Sequence, residues 1–312
     1  MSLETSEFEW HNGTLVRLGK NKYVMMEKWN YHGNAIHNFN MKSDDIVIMT
    51  MPRSGTTVTS EMIWLLNNNL DYETASKIRL EERVHELELN VYDDSDAEAK
   101  YASVDRPKFS YEIAENITGP RILKTHLAIS LFKNILSSGA KIVYVARDPK
   151  DRLVSAMRFL NNLNVPRFKT DIRRMWHDVK NKTLVNEPYW SHVQEAWCLR
   201  NQPNVLFLFY EDIRTNLYET IKKAAHFLDK TYSDEEIQSL ACHLDIEKFR
   251  KNPMVNSLAG IPFSSQNFIG QGKIGGYKDV IPDDIDHEID EWIEENLKDC
   301  FIDFPSLKNK IK

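Results

Sequence analysis

Residues 51–57, Met51-Pro52-Arg53-Ser54-Gly55-Thr56-Thr57, put one fixed cation, three hydroxyls and a glycine into one short stretch. Ahead of Pro52, Ile46-Val47-Ile48-Met49-Thr50-Met51 reads as a buried strand; behind the turn, Met62, Ile63, Leu65 and Leu66 fall at helical spacing. Strand, polar turn and helix together aim free backbone N–H groups and the positive end of a helix dipole at one point. A phosphate suits that point. Ordinary helix capping is the plainer reading, but capping needs one hydroxyl, and here three stand beside a guanidinium. The turn is P-loop-like in its placement after the first core strand. It lacks the G-x-x-x-x-G-K-[ST] pattern, which argues against an ordinary ATPase or GTPase.

Three more polar residues stand where apolar runs stop. His126 follows Ile122-Leu123-Lys124-Thr125, Arg147 follows Lys141–Ala146, and Tyr210 closes Val205–Tyr210. A histidine there could act as a base near neutral pH. Each also has a plainer role: a structural histidine, an arginine paired with Asp148 or Asp151, and a core aromatic.

Strands alternating with helices predict an α/β fold with a central, mostly parallel sheet flanked by helices. In such sheets ligands bind beyond the carboxyl ends of the strands, where Arg53, His126, Arg147 and Tyr210 would converge. Helices are expected over 127–136, through Leu153, Met157 and Leu160, over 213–229, and over 283–298 with Ile285, Ile289, Trp292 and Ile293 on one face. Residues 1–43 read as irregular, and 71–110 as an acidic loop or lid centred on Asp93-Asp94-Ser95-Asp96. Gly270, Gly272, Gly275 and Gly276 mark a backbone able to approach a ligand closely. With no repeat or linker, residues 1–312 read as a single domain.

The chain has 312 residues, 42% hydrophobic and 28% charged, and a formal net charge of −6. That balance gives no general case for nucleic acid or an anionic membrane, so any bound anion must be held by local cations. No apolar run reaches the roughly 18 residues of a membrane span. Cys198, Cys242 and Cys300 are widely spaced and odd in number, and the acidic first residues do not resemble a signal peptide. A cytoplasmic protein without a metal site is the expectation.

On these residues the chain resembles the cytosolic sulfotransferases. Their phosphosulfate loop reads aromatic-Pro-Lys/Arg-Ser-Gly-Thr-Thr-Trp and stands here as Met51 to Val58. Their Lys-Thr-His-Leu is Lys124-Thr125-His126-Leu127; their Arg followed by Lys-Asp and Ser is Arg147, Lys150-Asp151 and Ser155; their Tyr-Glu-Asp is Tyr210-Glu211-Asp212. The resemblance implies transfer of a sulfonate from 3′-phosphoadenosine 5′-phosphosulfate (PAPS) to a hydroxyl or amine of a small molecule. It casts His126 as base and Arg53 and Lys124 as the cations at the transferring group. The donor would lie on Arg53, Ser54, Gly55, Thr56, Thr57 and Val58, with Arg147 and Ser155 at its 3′-phosphate, Tyr210 at its adenine, and Gln271 and Gly272 closing over it. Phe159 matches an aromatic of the acceptor pocket.

Several positions depart from the family. Val58 replaces the closing Trp, and the late Arg-Lys-Gly becomes Gly270-Gln271-Gly272, leaving a glycine amide and Lys273. Val-Pro-Phe-Leu-Glu becomes Val84-His85-Glu86-Leu87-Glu88, so Glu86 stands at an acceptor-wall aromatic, either facing the pocket or swung into solvent. A pocket-facing Glu86 would favour an amine or polar acceptor over a flat phenol or steroid. Ile246 and Phe249 take the place of adenine-side contacts. The dimer signature is absent after Lys278, which leaves the oligomeric state open. Two other readings fit the same residues: a weakly active or non-catalytic nucleotide- or ligand-binding relative, and sulfonation followed by elimination, as in a dehydratase.

Overall fold

The structure is a computed structural model that describes residues 5–10, 13–89, 109–163, 168–256, 268–298 and 300–307. Asp93–Asp96, and with it the centre of the expected acidic lid, lies outside the described residues. The amino-terminal segment, expected to be irregular, forms β1 (Thr5–Trp10), β2 (Gly13–Leu18) and β3 (Tyr23–Met26), followed by a helix, Trp29–His37. The three strands pair antiparallel in sequence order. Leu15, Val16, Leu18, Tyr23, Val24 and Met25 are all buried. Consecutive buried residues leave no clean alternation to read, which is why the strands were hidden in the sequence. Val24 exchanges backbone hydrogen bonds with Glu187 and Asn186, at 2.8 and 2.7 Å, and so ties this sheet to the rest of the chain.

The central sheet holds β4 (Ile46–Thr50), β5 (His85–Glu86), β6 (Ile122–Thr125), β7 (Lys141–Ala146) and β8 (Val205–Phe209), in the order β5-β6-β4-β7-β8. All four pairings are parallel, as the alternating strand and helix pattern predicts. From central β4 the chain builds out to β6 and β5 on one side and to β7 and β8 on the other. The carboxyl end of β4 is therefore a topological switch point, where a crevice opens. Successive side chains feed opposite faces. Val47, Met49, Ile142 and Tyr144 join one apolar cluster, and Ile46, Ile48, Val143 and Val145 the other. No helix among the described residues is long and apolar enough to cross a membrane.

Several expected helices are redrawn. Residues 127–136 give only a single turn at Ile129–Leu131. Leu127, Ala128, Ile129, Leu131, Phe132 and Ile135 are buried while Leu136 is exposed, and the helix Trp29–His37 engages their backbone: His37 Nδ1 lies 2.8 Å from the Leu131 carbonyl, and Lys133 N–H donates to the His37 carbonyl at 2.9 Å. The 213–229 helix is split at Asn216 into Tyr210–Thr215 and Leu217–Phe227. The part of 71–110 that is described is ordered into Tyr72–Ala75, Leu80–Arg83, β5 and Ser110–Glu115. The terminal helix, Asp283–Leu297, buries Ile285, Ile289 and Ile293 as expected.

At the amino ends of β4 and β6, opposite the crevice, a buried ion pair fixes the register. Arg121 Nε and Nη2 donate to the two oxygens of Asp45, at 2.8 and 2.5 Å, and Ile46 N–H donates to the Arg121 carbonyl at 2.9 Å. Breaking a buried pair strands a charge in the interior. Asp45→Ala is expected to lower stability by about 3–5 kcal/mol in denaturant titration. Nucleotide affinity, set at the other end of the strands, should stay unchanged in calorimetry.

Candidate active site

The loop after β4 is held in a conformation few residues adopt. Gly55 has φ +102°, and a Cβ there would lie 2.6 Å from Cδ2 of Tyr210, so only glycine lets that ring pack against the backbone. Arg53 has φ +70°, a strained setting for a residue with a side chain. The helix Thr56–Asn67 begins directly after Gly55 without a side-chain cap, and Thr59 is the residue whose N–H reaches back to the Gly55 carbonyl, at 3.1 Å. By helix geometry the amides of Thr56, Thr57 and Val58 then have no carbonyl partner within the helix. Ser54 is buried, and among the described residues its Oγ has no hydrogen-bond partner. Val58 packs its side chain against the core.

His126, at the end of β6, is oriented through Nδ1. That nitrogen lies 2.9 Å from the Thr50 carbonyl and 3.2 Å from Thr50 Oγ1, which in turn is 2.7 Å from Thr56 Oγ1. A carbonyl only accepts, so in the neutral ring Nδ1 carries the hydrogen and Nε2 is the basic nitrogen. The backbone is clamped as well. His126 N–H donates to Glu88, whose other oxygen accepts from Thr125 Oγ1 at 2.8 Å. His192 Nε2 is 3.1 Å from the His126 carbonyl, while Tyr144 O–H is 2.7 Å from His192 Nδ1. Burial draws the His192 pKa down to about 3, so that link stays neutral. Burial also lowers the pKa of His126, with Lys124 and Arg53 adding to the effect and Glu86 opposing it.

Cationic and aromatic groups line the same crevice. Arg53 lies between two rings, its guanidinium 4.9 Å from the Phe159 centroid and 5.2 Å from that of Phe268. It also donates to the Phe268 carbonyl at 2.9 Å and to Ser155 Oγ at 3.4 Å. Burial, with Arg147 nearby, draws its pKa down to about 10, which leaves it charged at neutral pH. Arg147 donates to the Arg53 carbonyl at 2.8 Å and lies 4.3 Å over the Tyr210 ring. It is not held by Asp148 or Asp151, and its buried Nε has no partner among the described residues. Lys124 pairs with Glu86 at 3.1 Å across adjacent strands. Glu86 therefore turns toward the cleft rather than into solvent. Burial alone would raise its pKa, but the Lys124 and His126 charges outweigh burial and hold it below the usual range. Glu88, buried beside that charge, is pushed up to about 8.

The Gly270–Gly272 turn borders the same cleft. Gln271 is exposed, while Gly272, at φ +67°, accepts from Arg214 Nε at 3.3 Å. Lys273, expected as a remaining phosphate cation, is exposed and paired with Asp279 at 2.5 Å, because a nearby carboxylate on the same surface turn captures it. Asp151 receives the N–H groups of Gly275 and Tyr277, at 2.7 and 3.1 Å, and pins the far side of the turn.

Sequence reasoning brought Arg53, His126, Lys124, Arg147, Ser155, Phe159 and Tyr210 to one crevice, and they meet there. It missed Thr50, Glu88, His192, Phe268 and Arg214. Thr50 was legible as the one hydroxyl closing an apolar strand; His192, inside a helix, carried no signal at all.

A sulfotransferase domain matches residues 43–301. The chain belongs to the sulfotransferase family. It is 29% identical to luciferin sulfotransferase of Photinus pyralis over 84% of this chain and 74% of that protein. Among solved structures it is similar to retinol dehydratase in complex with retinol and PAP, at a TM-score of 0.88 and 30% identity over 98% of this chain and 99% of that one. The complex of retinol dehydratase with androsterone and inactive cofactor PAP gives 0.86 and 31%, over 93% and 91%.

Gly55→Ala should cost this sulfotransferase loop its shape, since the new Cβ meets both a forbidden φ and the Tyr210 ring. Nucleotide affinity is expected to fall by about tenfold or more, read by calorimetry, with the far-ultraviolet circular dichroism spectrum retained.

Proposed function

We propose that this chain transfers a sulfonate from PAPS to a hydroxyl or amine of a small acceptor, with His126 as the base. The carrying observation is the hydrogen bond that fixes His126 Nδ1–H on the Thr50 carbonyl and leaves Nε2 basic, in the crevice that also holds Arg53 and Lys124. The residues fit such a donor. Ser54 Oγ and Arg147 Nε are buried polar atoms without partners among the described residues, the helix start offers free amides, and the loop presents hydroxyls and guanidinia. When bound, PAPS supplies the sulfonate on a phosphate leaving group. His126 Nε2 takes the acceptor's proton, Arg53 and the loop amides stabilise the charge growing on the phosphate, and Lys124 faces the transferring group. A phosphate leaves as an anion without a proton, so a permanently charged Arg53 suffices where relatives use Lys.

A second reading follows from the overlap with retinol dehydratase, which is nearly end to end. In that reading the C–O bond of the sulfonated alcohol would break to release sulfate, and a C–H proton would pass to a base, leaving an alkene. An assay with the sulfonate labelled, run on a panel of phenols, amines, sterols and isoprenoid alcohols, separates the outcomes. Label in a sulfonated product supports transfer, free sulfate with a dehydrated acceptor supports elimination, and nucleotide binding without either supports a sequestering role.

His126→Asn is expected to lower kcat by about 10²- to 10⁴-fold with nucleotide affinity retained; normal turnover in this variant would remove His126 as the base. The pH profile has a defined sign. Activity needs neutral His126, so kcat/KM should rise as pH passes upward through its pKa, which burial places below the ordinary value. Glu86 opposes that lowering, and Glu86→Gln should therefore shift the acidic limb to still lower pH. A limb that stays in place or moves upward would show that Glu86 is not felt by the base.

A further inference from the structure

One cation of the crevice, Arg214, has no role in the reading above. It stands four residues after Tyr210 in the helix Tyr210–Thr215, and residues four apart share a helix face. At one end of that face the Tyr210 ring carries the Arg147 guanidinium. At the other, Arg214 Nε donates to the Gly272 carbonyl at 3.3 Å, and a Cβ on Gly272 would come within 3.0 Å of the same Nε. Arg214 thus bridges the Arg147 wall and the turn that borders the cleft.

The charges around it are arranged for a ligand rather than for the protein. Among the described residues neither Arg147 nor Arg214 is paired with a carboxylate, and the buried Arg147 Nε is without any partner. The turn itself supplies no cation, since Gly270 and Gln271 are exposed and uncharged and Lys273 is taken by Asp279. A guanidinium that spends one N–H on a carbonyl still offers its terminal fork, the geometry that grips phosphate oxygens two at a time.

Resting on the donor reading above, we propose that Arg214 supplies the positive charge for the donor's 3′-phosphate, in place of the two cations that the Gly270–Gly272 turn lacks. Arg53 and the loop amides then serve the 5′ end, and Arg147 with Arg214 serves the 3′ end.

Calorimetry with adenosine 3′,5′-bisphosphate (PAP) and with adenosine 5′-monophosphate tests this, because the two ligands differ only in the 3′-phosphate. The unaltered chain should bind the bisphosphate more tightly. Arg214→Gln should weaken the bisphosphate by about tenfold or more and leave the monophosphate nearly unchanged. Adding Gln271→Lys to that variant returns a cation to the turn and should recover part of the loss. The ratio of the two affinities is taken on one folded population, so partial unfolding of a variant cannot imitate the effect. An unchanged ratio in Arg214→Gln overturns the assignment while leaving the donor reading standing, and so does equal weakening of both nucleotides. Equal binding of the two nucleotides by the unaltered chain overturns the donor reading and the assignment together.

Discussion

The hydrogen bond from His126 Nδ1–H to the Thr50 carbonyl joins the two halves of the crevice. It is possible because β6 and β4 are neighbours and run in the same direction, so both strands deliver their last residues to the same edge. Thr50 ends β4, and the strained loop begins directly after it. The carbonyl that sets the histidine tautomer therefore belongs to the strand that launches the strained loop. Movement at the end of β4 would disturb both at once.

Charge in the crevice is local and partly self-cancelling. The chain as a whole is acidic, at −6, yet Arg53, Lys124, Arg147 and Arg214 gather at one edge of the sheet. Lys124 is paired with Glu86, whereas among the described residues Arg147 and Arg214 form no ion pair with a carboxylate, and Arg147 feels only the buried Glu211. The positive excess is thus concentrated on the side of Tyr210 and Gly272, away from the Lys124–Glu86 pair. Burial disfavours the charged forms of Arg53 and His126, and neighbouring cations add to that, so the pKa of each is lowered.

The parallel sheet was legible because its strands are short apolar runs closed by polar residues, and the strand ends marked the crevice without coordinates. The amino-terminal sheet was not, since its buried residues follow one another without alternation. Leu127–Leu136 misled for the opposite reason: its apolar spacing imitates a helix, but the Trp29–His37 helix draws on its backbone groups. Within the site, the direction of Glu86 was undetermined from the chain alone. Its pairing with Lys124 depends on β5 lying beside β6, a neighbour relation that a two-residue strand does not advertise. Arg214 was hidden similarly, because its significance comes from a turn almost sixty positions later.

The placement of Arg53 between Phe159 and Phe268 has a thermodynamic consequence. A cation lying against two ring faces is attracted to both, so displacing it weakens both contacts. One ring sits on the helix Pro149–Asn162 and the other opens the segment that leads to Gly272, so two separate elements share a single charge. Any molecule that draws on the guanidinium alters how firmly both rings are held, and any molecule pressing on either ring alters the guanidinium in return. Such linkage is reciprocal and of equal size in both directions.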